Sequence, residues 1–213
     1  MSQKIFDDFH IAFFDKVKMS YWIGQPCQKY PIDLFNYQEL IVETQPDIII
    51  ECGTNQGGTA FFLSSILSLM GKTNGKVLTC DVQDIRTQKV KELGDKIIFY
   101  HGSSISEDIV TKIKSHIKER DRVMVVLDSD HRCYHVLEEM KIYGELVTKD
   151  CYMIVEDSDL NGHPIYPSYG AGPFEAIEIY MREHNNGKFI NDKIRENMYL
   201  ITNAVNGYLK KVL

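Results

Sequence analysis

Acidic side chains follow two apolar segments in the second half of the chain. Asp128 ends the segment RVMVVLD, and Glu156 and Asp157 follow the segment CYMIV. Because neighbouring strand ends in a sheet lie about 5 Å apart, these carboxylates are expected to form one cluster. Carboxylates this close repel each other unless a proton or a cation intervenes. An all-oxygen set with room for water suits Mg²⁺ better than zinc, so the pattern predicts a metal site at Asp128, Glu156 and Asp157.

One histidine stands beside this predicted cluster. His131 follows Asp128 by three residues, close to a metal without having to ligate it. A neutral imidazole there could take a proton from a hydroxyl group made more acidic by the cation, so we interpret His131 as a general base. The residues leave two alternatives open, a structural histidine and separate solvated acids with Asp130 capping the next helix. His10 and His116 lack such neighbours and are expected to be solvated.

A glycine-rich turn, ECGTNQGGT at residues 51–59, follows an earlier apolar segment. Glycine lets the backbone approach a ligand closely, and a helix N-terminus offers free N–H groups to an anionic group. The dinucleotide fingerprint GxGxxG is absent, because three residues separate Gly53 from Gly57. The spacing ExGxxxGG predicts a smaller nucleoside ligand.

Two further segment ends extend this predicted nucleoside site. Asp81 comes roughly 30 residues after the glycine turn, the length of one βαβ unit, and an acid there can accept both hydroxyl groups of a ribose. Ser104, in the motif HGSS, could bond an adenine. A turn or helix cap at Asp81 and a simple loop at Ser104 are the alternatives.

The segments that position these residues alternate between short Val- and Ile-rich runs and longer amphipathic stretches. Such runs are typical of parallel strands buried on both faces, and their alternation with helices predicts an open α/β sheet. Five strands are expected at residues 47–51, 76–81, 96–100, 122–128 and 151–156, with helices at 58–70, 86–93, 107–118 and 131–146. A helix at 174–184 and two strands at 198–202 and 208–212 follow, the last after an Asn206-Gly207 turn.

Two segments outside the sheet are expected to enclose the site. Residues 1–45, with a helix at 33–44, form a helical cover, and residues 46–213 form the body of a single domain. The loop at 159–173 is long for a compact domain, which indicates a functional or mobile segment. Its Tyr166 and Tyr169, with Tyr21 and Trp22, could surround a second ligand. Simple packing of these aromatic rings is equally open.

Length and composition fit one globular domain. The 213 residues are 44% hydrophobic and 25% charged, enough for a sizeable core. A net charge of -6 without a Lys or Arg block argues against a nonspecific nucleic-acid binder. Five scattered cysteines indicate reduced thiols, and no apolar run approaches the roughly 18 residues of a membrane span. With an N-terminus unlike a signal peptide, the expected compartment is the cytoplasm, and a homo-oligomer stays open.

Together the motifs resemble the class I S-adenosylmethionine-dependent methyltransferases. Within them the chain resembles the cephalosporin hydroxylase family, which includes rhamnosyl O-methyltransferases. The resemblance runs from about residue 20 to nearly the end and rests on ExGTxxGGT, Asp81, LDSDH, VED, WIG at 22–24, KYPID with YQE, GPFEA at 172–176 and NGYL at 206–209. It implies a Rossmann-like fold with a mostly parallel seven-stranded sheet and helices on both faces. It also implies S-adenosylmethionine and Mg²⁺ as cofactors.

The resemblance also implies roles for single residues. The methionine end of the cofactor would be held by Glu51, Gly53, Asn55 and Thr59, the ribose by Asp81, the adenine side by Ser104, and the metal by Asp128, Glu156 and Asp157, with Asp128 also near the cofactor. His131 stands where metal-dependent sugar methyltransferases have a histidine. Phe174 replaces the expected Trp of the GPxWEA motif, a change that concerns packing or substrate fit. No ligand set of a ferrous oxygenase stands out, so hydroxylation is not expected.

The sequence therefore predicts Mg²⁺-dependent O-methylation of a hydroxyl group on a sugar, in a surface glycan or a secondary metabolite. Three alternatives stay open: a cofactor-binding subunit without activity, N-methylation of a modified sugar, and a metal-dependent hydrolase. The complete set of carboxylates with His131 argues against a subunit that only binds. A hydrolase would leave the glycine turn and Asp81 without a purpose.

Overall fold

The computed structural model describes residues 3–17 and 19–213. Met1, Ser2 and Lys18, which belong to the predicted cover segment, lie outside the described residues. The helices are α1 (Gln3–Lys16), α2 (Pro31–Thr44), α3 (Gly58–Leu69), α4 (Gln88–Lys91), α5 (Glu107–Ser115), α6 (Cys133–Gly144), α7 (Pro173–Glu183) and α8 (Lys193–Glu196). The strands are β1 (Ser20–Trp22), β2 (Gln25–Cys27), β3 (Ile48–Cys52), β4 (Lys76–Asp81), β5 (Ile97–His101), β6 (Val123–Leu127), β7 (Tyr152–Val155), β8 (Phe189–Asn191) and β9 (Tyr208–Lys211).

Seven of these strands form one sheet in the order β5-β4-β3-β6-β7-β9-β8. Strands β3 to β7 are parallel, and β9 runs antiparallel to both β7 and β8. The predicted mostly parallel, seven-stranded sheet is therefore confirmed. The chain leaves β3 towards β4 on one side and returns to β6 on the other. Ligands bind in open α/β sheets at such a reversal of strand order, outside the carboxyl ends of the strands.

Two apolar layers cover the faces of this sheet, because successive side chains of a strand point to opposite faces. Ile48 and Ile50 of β3 pack on one face with buried residues of α5, α6 and α7. Ile49 packs on the other face with α2 and α3. A sheet covered on both faces explains why its central strands are near-continuous apolar runs.

The structure corrects two predictions near the carboxyl terminus and after β4. Residues 198–202 do not form a strand, because Leu200 has a left-handed φ of 73°, which interrupts an extended segment. The edge strand is instead β8, whose Phe189 is buried in the core. The helix expected at residues 86–93 is reduced to α4. The Asn206-Gly207 turn precedes β9 as predicted.

The amino-terminal segment holds more than helices. A hairpin of β1 and β2 lies between α1 and α2, and the sequence pattern did not indicate it. Its backbone lies against the start of α3, since a Cβ atom on Gly58 would lie 2.0 Å from the Pro26 carbonyl oxygen. Only glycine allows this approach. Behind the hairpin, α2 is tied to the other end of the chain by Asp33, which accepts hydrogen bonds from Thr202 and Tyr208.

The expectation that His10 is solvated is wrong. Its side chain is buried between α1 and the loop that follows β7, with Nε2 lying 3.1 Å from Asp159 Oδ2. The Tyr30 hydroxyl donates to the same carboxylate oxygen at 3.2 Å. Helix α1 is therefore attached to the loop through a buried polar contact that its own sequence pattern does not reveal. None of the described helices has the length and apolar character needed to cross a membrane.

Candidate active site

Two adjoining cavities lie at the carboxyl ends of the parallel strands. The first, of about 410 Å³, is bounded by residues of the glycine turn, the ends of β4, β6 and β7, and α1: Gly53, Asn55, Asp81, Asp128, His131, Asp157 and Phe14. The second, of about 510 Å³, lies between β5 and α6 and is lined by Ser104, Asp130 and His135. Asp81 and Ser129 border both cavities, so together they can accept an elongated ligand.

Asp128, His131 and Asp157 form a cluster on the wall of the first cavity. Each of the three side chains offers one ligand atom, and these atoms all lie within 4.8 Å of one another. His131 Nε2 lies 3.3 Å from Asp157 Oδ2. All three side chains are partly exposed to the cavity, with 21 to 32% of each side chain accessible. Two carboxylates and an imidazole at this separation could hold a cation that enters from the cavity.

Burial changes the protonation of this cluster. It raises the pKa of Asp128 to about 6, although the nearby Lys29 ammonium group acts in the opposite direction. Burial also raises the pKa of Asp157, against the lowering effect of His131. For His131, burial alone would lower the pKa, but the carboxylates of Asp157 and Asp128 outweigh it and raise the pKa above its ordinary value. The cluster therefore carries more negative charge than its surroundings stabilise.

Glu156, the third predicted metal ligand, points away from the cavity in this structure. Its Oε1 accepts a hydrogen bond from the Tyr37 hydroxyl at 2.5 Å. Its Oε2 accepts one from Asn203 Nδ2 at 3.1 Å and lies 2.5 Å from Lys29 Nζ. The structure thus brings Asp128 and Asp157 together with His131. The Glu156 carboxylate is instead paired with the buried groups of Tyr37, Asn203 and Lys29.

Lys29 is a site residue that the sequence reasoning missed. Its Nζ pairs with both Asp128 and Glu156, and only 2% of its side chain is exposed. Burial alone would lower the pKa of Lys29, but the two carboxylates raise it well above its usual range. A lone lysine in a cover segment carries no signal of its own. The available signal was its place in the matched motif KYPID.

The glycine turn after β3 brings two strand ends into contact. A Cβ atom on Gly53 would lie 1.8 Å from the Asp128 carbonyl oxygen, so a side chain cannot be accommodated there. The Asn55 N–H donates to Asp81 Oδ2 at 2.8 Å, and the Gln83 N–H donates to Oδ1 at 2.9 Å. Asp81 therefore caps the turn, and each of its oxygens retains a lone pair for a ligand hydroxyl group. Thr59 is buried, with Oγ1 3.5 Å from Cys27 Sγ.

Glu51 lies directly beneath this turn and is buried. Its Oε2 accepts a hydrogen bond from the Thr79 hydroxyl at 2.5 Å, whereas Oε1 has no hydrogen-bond partner among the described residues. Burial raises the pKa of Glu51 to about 8. Glu51 lines neither cavity, and a buried oxygen without a partner is costly, so a ligand ammonium group would have to reach Oε1 through the glycine turn to pair with it.

Ser104 belongs to a row of polar side chains, with His135, Glu139 and Ser129, beside the second cavity. Its Oγ lies 3.0 Å from His135 Nε2, which in turn lies 3.5 Å from Glu139 Oε1. The Ser129 hydroxyl donates to the same Glu139 oxygen at 2.6 Å. Contact with Glu139 raises the pKa of His135 above its ordinary value. The sequence did not reveal this row of side chains, because a His and a Glu four residues apart are common on helix surfaces.

The predicted aromatic wall is divided between two places. Tyr21 is 67% exposed, and Trp22 packs its ring on Phe62 at 4.9 Å while Nε1 donates to Ser65. Among the described residues, neither Tyr21 nor Trp22 lines the first cavity.

Tyr166 and Tyr169 belong to the loop after β7. Tyr166 meets Phe14 of α1 edge to face at 5.2 Å, and Phe14 itself lines the first cavity. Tyr169 is 44% exposed and lies close to Gly172 at the end of the loop. Helix α1 therefore contributes an aromatic side chain that the sequence reasoning did not select.

This sheet, with a glycine turn after β3 and an acid at the end of β4, defines a class I S-adenosylmethionine-dependent methyltransferase. The chain belongs to the rhamnosyl O-methyltransferase/CmcI family, whose model matches residues 15–212.

Two relatives agree with that assignment, and a solved structure shares the fold. The chain is 39% identical over 189 residues to a rhamnosyl O-methyltransferase of Mycobacterium leprae (strain TN), covering 88% of this chain and 81% of the relative. It is 36% identical over 212 residues to a rhamnosyl O-methyltransferase of Mycobacterium bovis (strain BCG / Pasteur 1173P2), covering 98% of this chain and 85% of the relative. A solved structure described as cmcI-D160 Mg-SAM superposes with a TM-score of 0.67 and 17% identity, over 91% of this chain and 77% of that one.

Proposed function

We propose that this protein transfers a methyl group from S-adenosylmethionine to a hydroxyl group of a rhamnosyl or related sugar, with Mg²⁺ in the site. The observation that carries the proposal is that Asp128, His131 and Asp157 line the same cavity as the glycine turn and Asp81. A methyl donor and a metal-bound acceptor would then meet at one place. The relatives named rhamnosyl O-methyltransferase support the choice of acceptor.

The cofactor is proposed to lie across both cavities. The methionine end would lie against Gly53 and Asn55, which line the first cavity, and the unpartnered Oε1 of Glu51 beneath the turn would attract its ammonium group. Thr59, buried at the start of α3, would stabilise the turn from behind. Asp81, at the junction of the two cavities, would accept the ribose hydroxyl groups, and Ser104 would contact the adenine. Asp128 borders both the methionine end and the acceptor.

The metal is proposed to be held by Asp128 and Asp157. Glu156, the third carboxylate of the sequence prediction, would have to leave Lys29 or its other partners to join them. Hard carboxylate oxygens facing a wet cavity fit Mg²⁺. When bound, Mg²⁺ would make a hydroxyl group of the acceptor more acidic. The structural neighbour described as a Mg-SAM complex supports the same pairing of cofactors.

His131 is proposed to be the general base. Its ring lies on the cavity wall beside Asp157, which can hold the imidazolium ion that forms when the ring accepts a proton. The acceptor oxygen forms the new C–O bond as the S–CH₃ bond breaks, and its proton passes to His131. Asp157 and the cavity wall hold these groups in line, and this positioning supplies much of the rate.

Replacing His131 tests this assignment. In His131→Ala, the rate of methyl transfer to a rhamnosyl glycoside is expected to fall by about 10²–10⁴-fold, because proton removal is no longer assisted. Binding of S-adenosylhomocysteine, measured by calorimetry, should stay within a few-fold of the wild type. His116→Ala, at the end of α5 and outside the described lining of the cavity, is the matched control.

Three outcomes would contradict the proposal in different parts. An unchanged rate of methyl transfer in His131→Ala would contradict the assignment of His131 as the general base. Methyl transfer that continues in the presence of EDTA would contradict the requirement for a metal ion. Tight binding of S-adenosylhomocysteine without transfer to any sugar hydroxyl would instead favour a subunit that only binds the cofactor.

A further inference from the structure

Lys29 places a positive charge inside the acidic cluster. It follows the β1–β2 hairpin and precedes α2, its Nζ pairs with Asp128 and Glu156, and the residue borders the same cavity as Asp128 and Asp157. The exposed fractions show the arrangement: 2% for the Lys29 side chain against 32% for His131 and 30% for Asp157. Asp128 and Asp157 are therefore more accessible than Lys29 to a cation in the cavity.

The backbone around Lys29 is held firmly in place. The Ser20 hydroxyl donates to the Lys29 carbonyl oxygen at 2.6 Å, and the Lys29 N–H donates to the Cys27 carbonyl oxygen at 2.9 Å. The same hairpin lies against Gly58 at the start of α3. The lysine therefore reaches the carboxylates from a rigid base and is not a surface side chain folded inwards by chance.

The charges around Lys29 are unequal. Three carboxylates, those of Asp128, Glu156 and Asp157, lie together, and among the described residues the basic side chains paired with them are Lys29 and His131. Buried carboxylates need a compensating charge, since desolvation of each is costly. Lys29 compensates part of this charge and leaves the rest for a cation in the cavity.

We infer that Lys29 is the resident cation of this cluster: its ammonium group neutralises Asp128 and Glu156 when no metal is bound and lowers the affinity of the cluster for a divalent cation. This inference rests on the proposed metal site. Asp128 is the shared element, because it faces Lys29 and also belongs to the group with His131 and Asp157. A divalent cation must therefore compete with Lys29 for the negative charge of Asp128.

The arrangement has a clear consequence for the metal-free protein. Glu156 keeps both oxygens paired with Tyr37, Asn203 and Lys29, so the site does not open through repulsion when the metal leaves. The metal can then bind reversibly to a site that is already formed. Lys29 acts here as a positioning residue and not as a catalytic one.

Mn²⁺ binding to a lysine variant tests the inference without measuring activity. In Lys29→Met, the affinity for Mn²⁺, measured by paramagnetic resonance or calorimetry, should rise at least about tenfold, because a like charge next to the cation has been removed. Lys29→Arg keeps the charge and should remain within a few-fold of the wild type. Lys188→Met removes a lysine whose partner, Glu145, is on the surface, and should change nothing.

Thermal unfolding supplies a second measurement. Without metal, Lys29→Met should unfold at a lower temperature than the wild type, because its carboxylates lose their partner. Saturating Mg²⁺ should raise its melting temperature more than it raises that of the wild type. Equal shifts in the two proteins would overturn the inference.

A measurement on the wild-type protein does not depend on the variant folding. A buried lysine NH₃⁺ group gives a resolved ¹H–¹⁵N resonance, which Lys29→Arg would identify by its loss. That resonance should move on addition of Mg²⁺ and saturate together with metal binding. A resonance unchanged at saturating metal would overturn the inference.

The outcomes separate this inference from the proposed function. Mn²⁺ binding that is equal or weaker in Lys29→Met overturns the role of Lys29 and leaves the metal site standing. No Mn²⁺ binding in either protein overturns both the inference and the metal in the proposed function. In that case methyl transfer in the presence of EDTA would show whether the rest of the proposed function stands.

Discussion

Glu139 is a wholly buried carboxylate next to the second cavity, and its two nearest polar neighbours both face that cavity. Ser129 donates to its Oε1, and His135 connects that same oxygen to Ser104. With a proton on His135 Nε2, Ser104 accepts from the ring, and its own hydroxyl hydrogen is free to donate to a ring nitrogen of adenine. The buried Glu139 carboxylate thus orients the hydroxyl groups of Ser129 and Ser104, which line the second cavity.

Glu139→Gln is expected to weaken cofactor binding. The amide is neutral and no longer attracts the His135 ring N–H or the Ser129 hydroxyl as strongly, so the orientation of Ser104 and Ser129 is lost and affinity for S-adenosylhomocysteine should fall about tenfold. Calorimetric titration measures this. Glu138→Gln, on the neighbouring residue that pairs with Lys141, is the matched control. Equal affinity in the two variants would show that the row of polar side chains is only structural.

At the scale of elements, α1 and the loop after β7 form one wall of the first cavity. Phe14 of α1 meets Tyr166 of the loop, and His10 of the same helix pairs with Asp159 at the start of the loop. The loop is tied in turn to α7, because Glu175 accepts hydrogen bonds from Asn161 and from the Gly172 N–H. These contacts hold α1 and the loop together beside the first cavity, where we propose that the acceptor binds.

Phe14→Ala should therefore affect the acceptor and not the cofactor. Loss of the ring removes an apolar contact worth about 1–3 kcal/mol, so KM for a rhamnosyl glycoside is expected to rise roughly 5–150-fold. The affinity for S-adenosylhomocysteine should not change. Steady-state kinetics and calorimetry measure the two quantities. Phe9→Ala, half-exposed on the same helix, is the control, and an equal effect in both variants would contradict a specific role for Phe14.

At the scale of the whole molecule, stability is linked to pH through buried acids. Burial raises the pKa of Glu51 from 4.5 to about 8, so the folded protein keeps a proton that the unfolded chain releases. As the pH rises from about 4.5 to 8, the unfolded chain loses this proton and the folded protein retains it. The free energy of unfolding therefore falls through this window and levels off above it.

Glu51→Gln should reduce this fall. Without metal or cofactor, the wild type should lose on the order of a few kcal/mol more than the variant between pH 5 and pH 8. Denaturant unfolding at several pH values measures the difference. Glu119→Gln, on the surface, serves as the control. Parallel pH profiles for Glu51→Gln and the wild type would contradict the assignment.

The strands and their polar ends could be predicted because both depend on residues close in sequence. A Val- and Ile-rich run bounded by polar residues can be recognised within one segment, as at β4, which the structure reproduces from Lys76 to Asp81. The parallel order of the strands then places Asp81, Asp128 and Asp157 at one edge, whatever the details of packing. The apolar runs, the glycine turn and this edge were determined by the sequence alone.

Only the tertiary structure decided which side chains meet at that edge. Lys29 contacts Asp128 across 99 positions of sequence, and His10 contacts Asp159 across 149. Residues adjacent in sequence can also have different partners. The Glu156 carboxylate contacts Lys29, whereas Asp157, which has a left-handed φ of 52°, contacts His131. A local sequence pattern indicates which side chains are buried and whether their spacing is that of a helix or a strand. A contact between distant residues depends instead on how whole elements pack. The physical reason is that such contacts form only when the chain closes around a shared core.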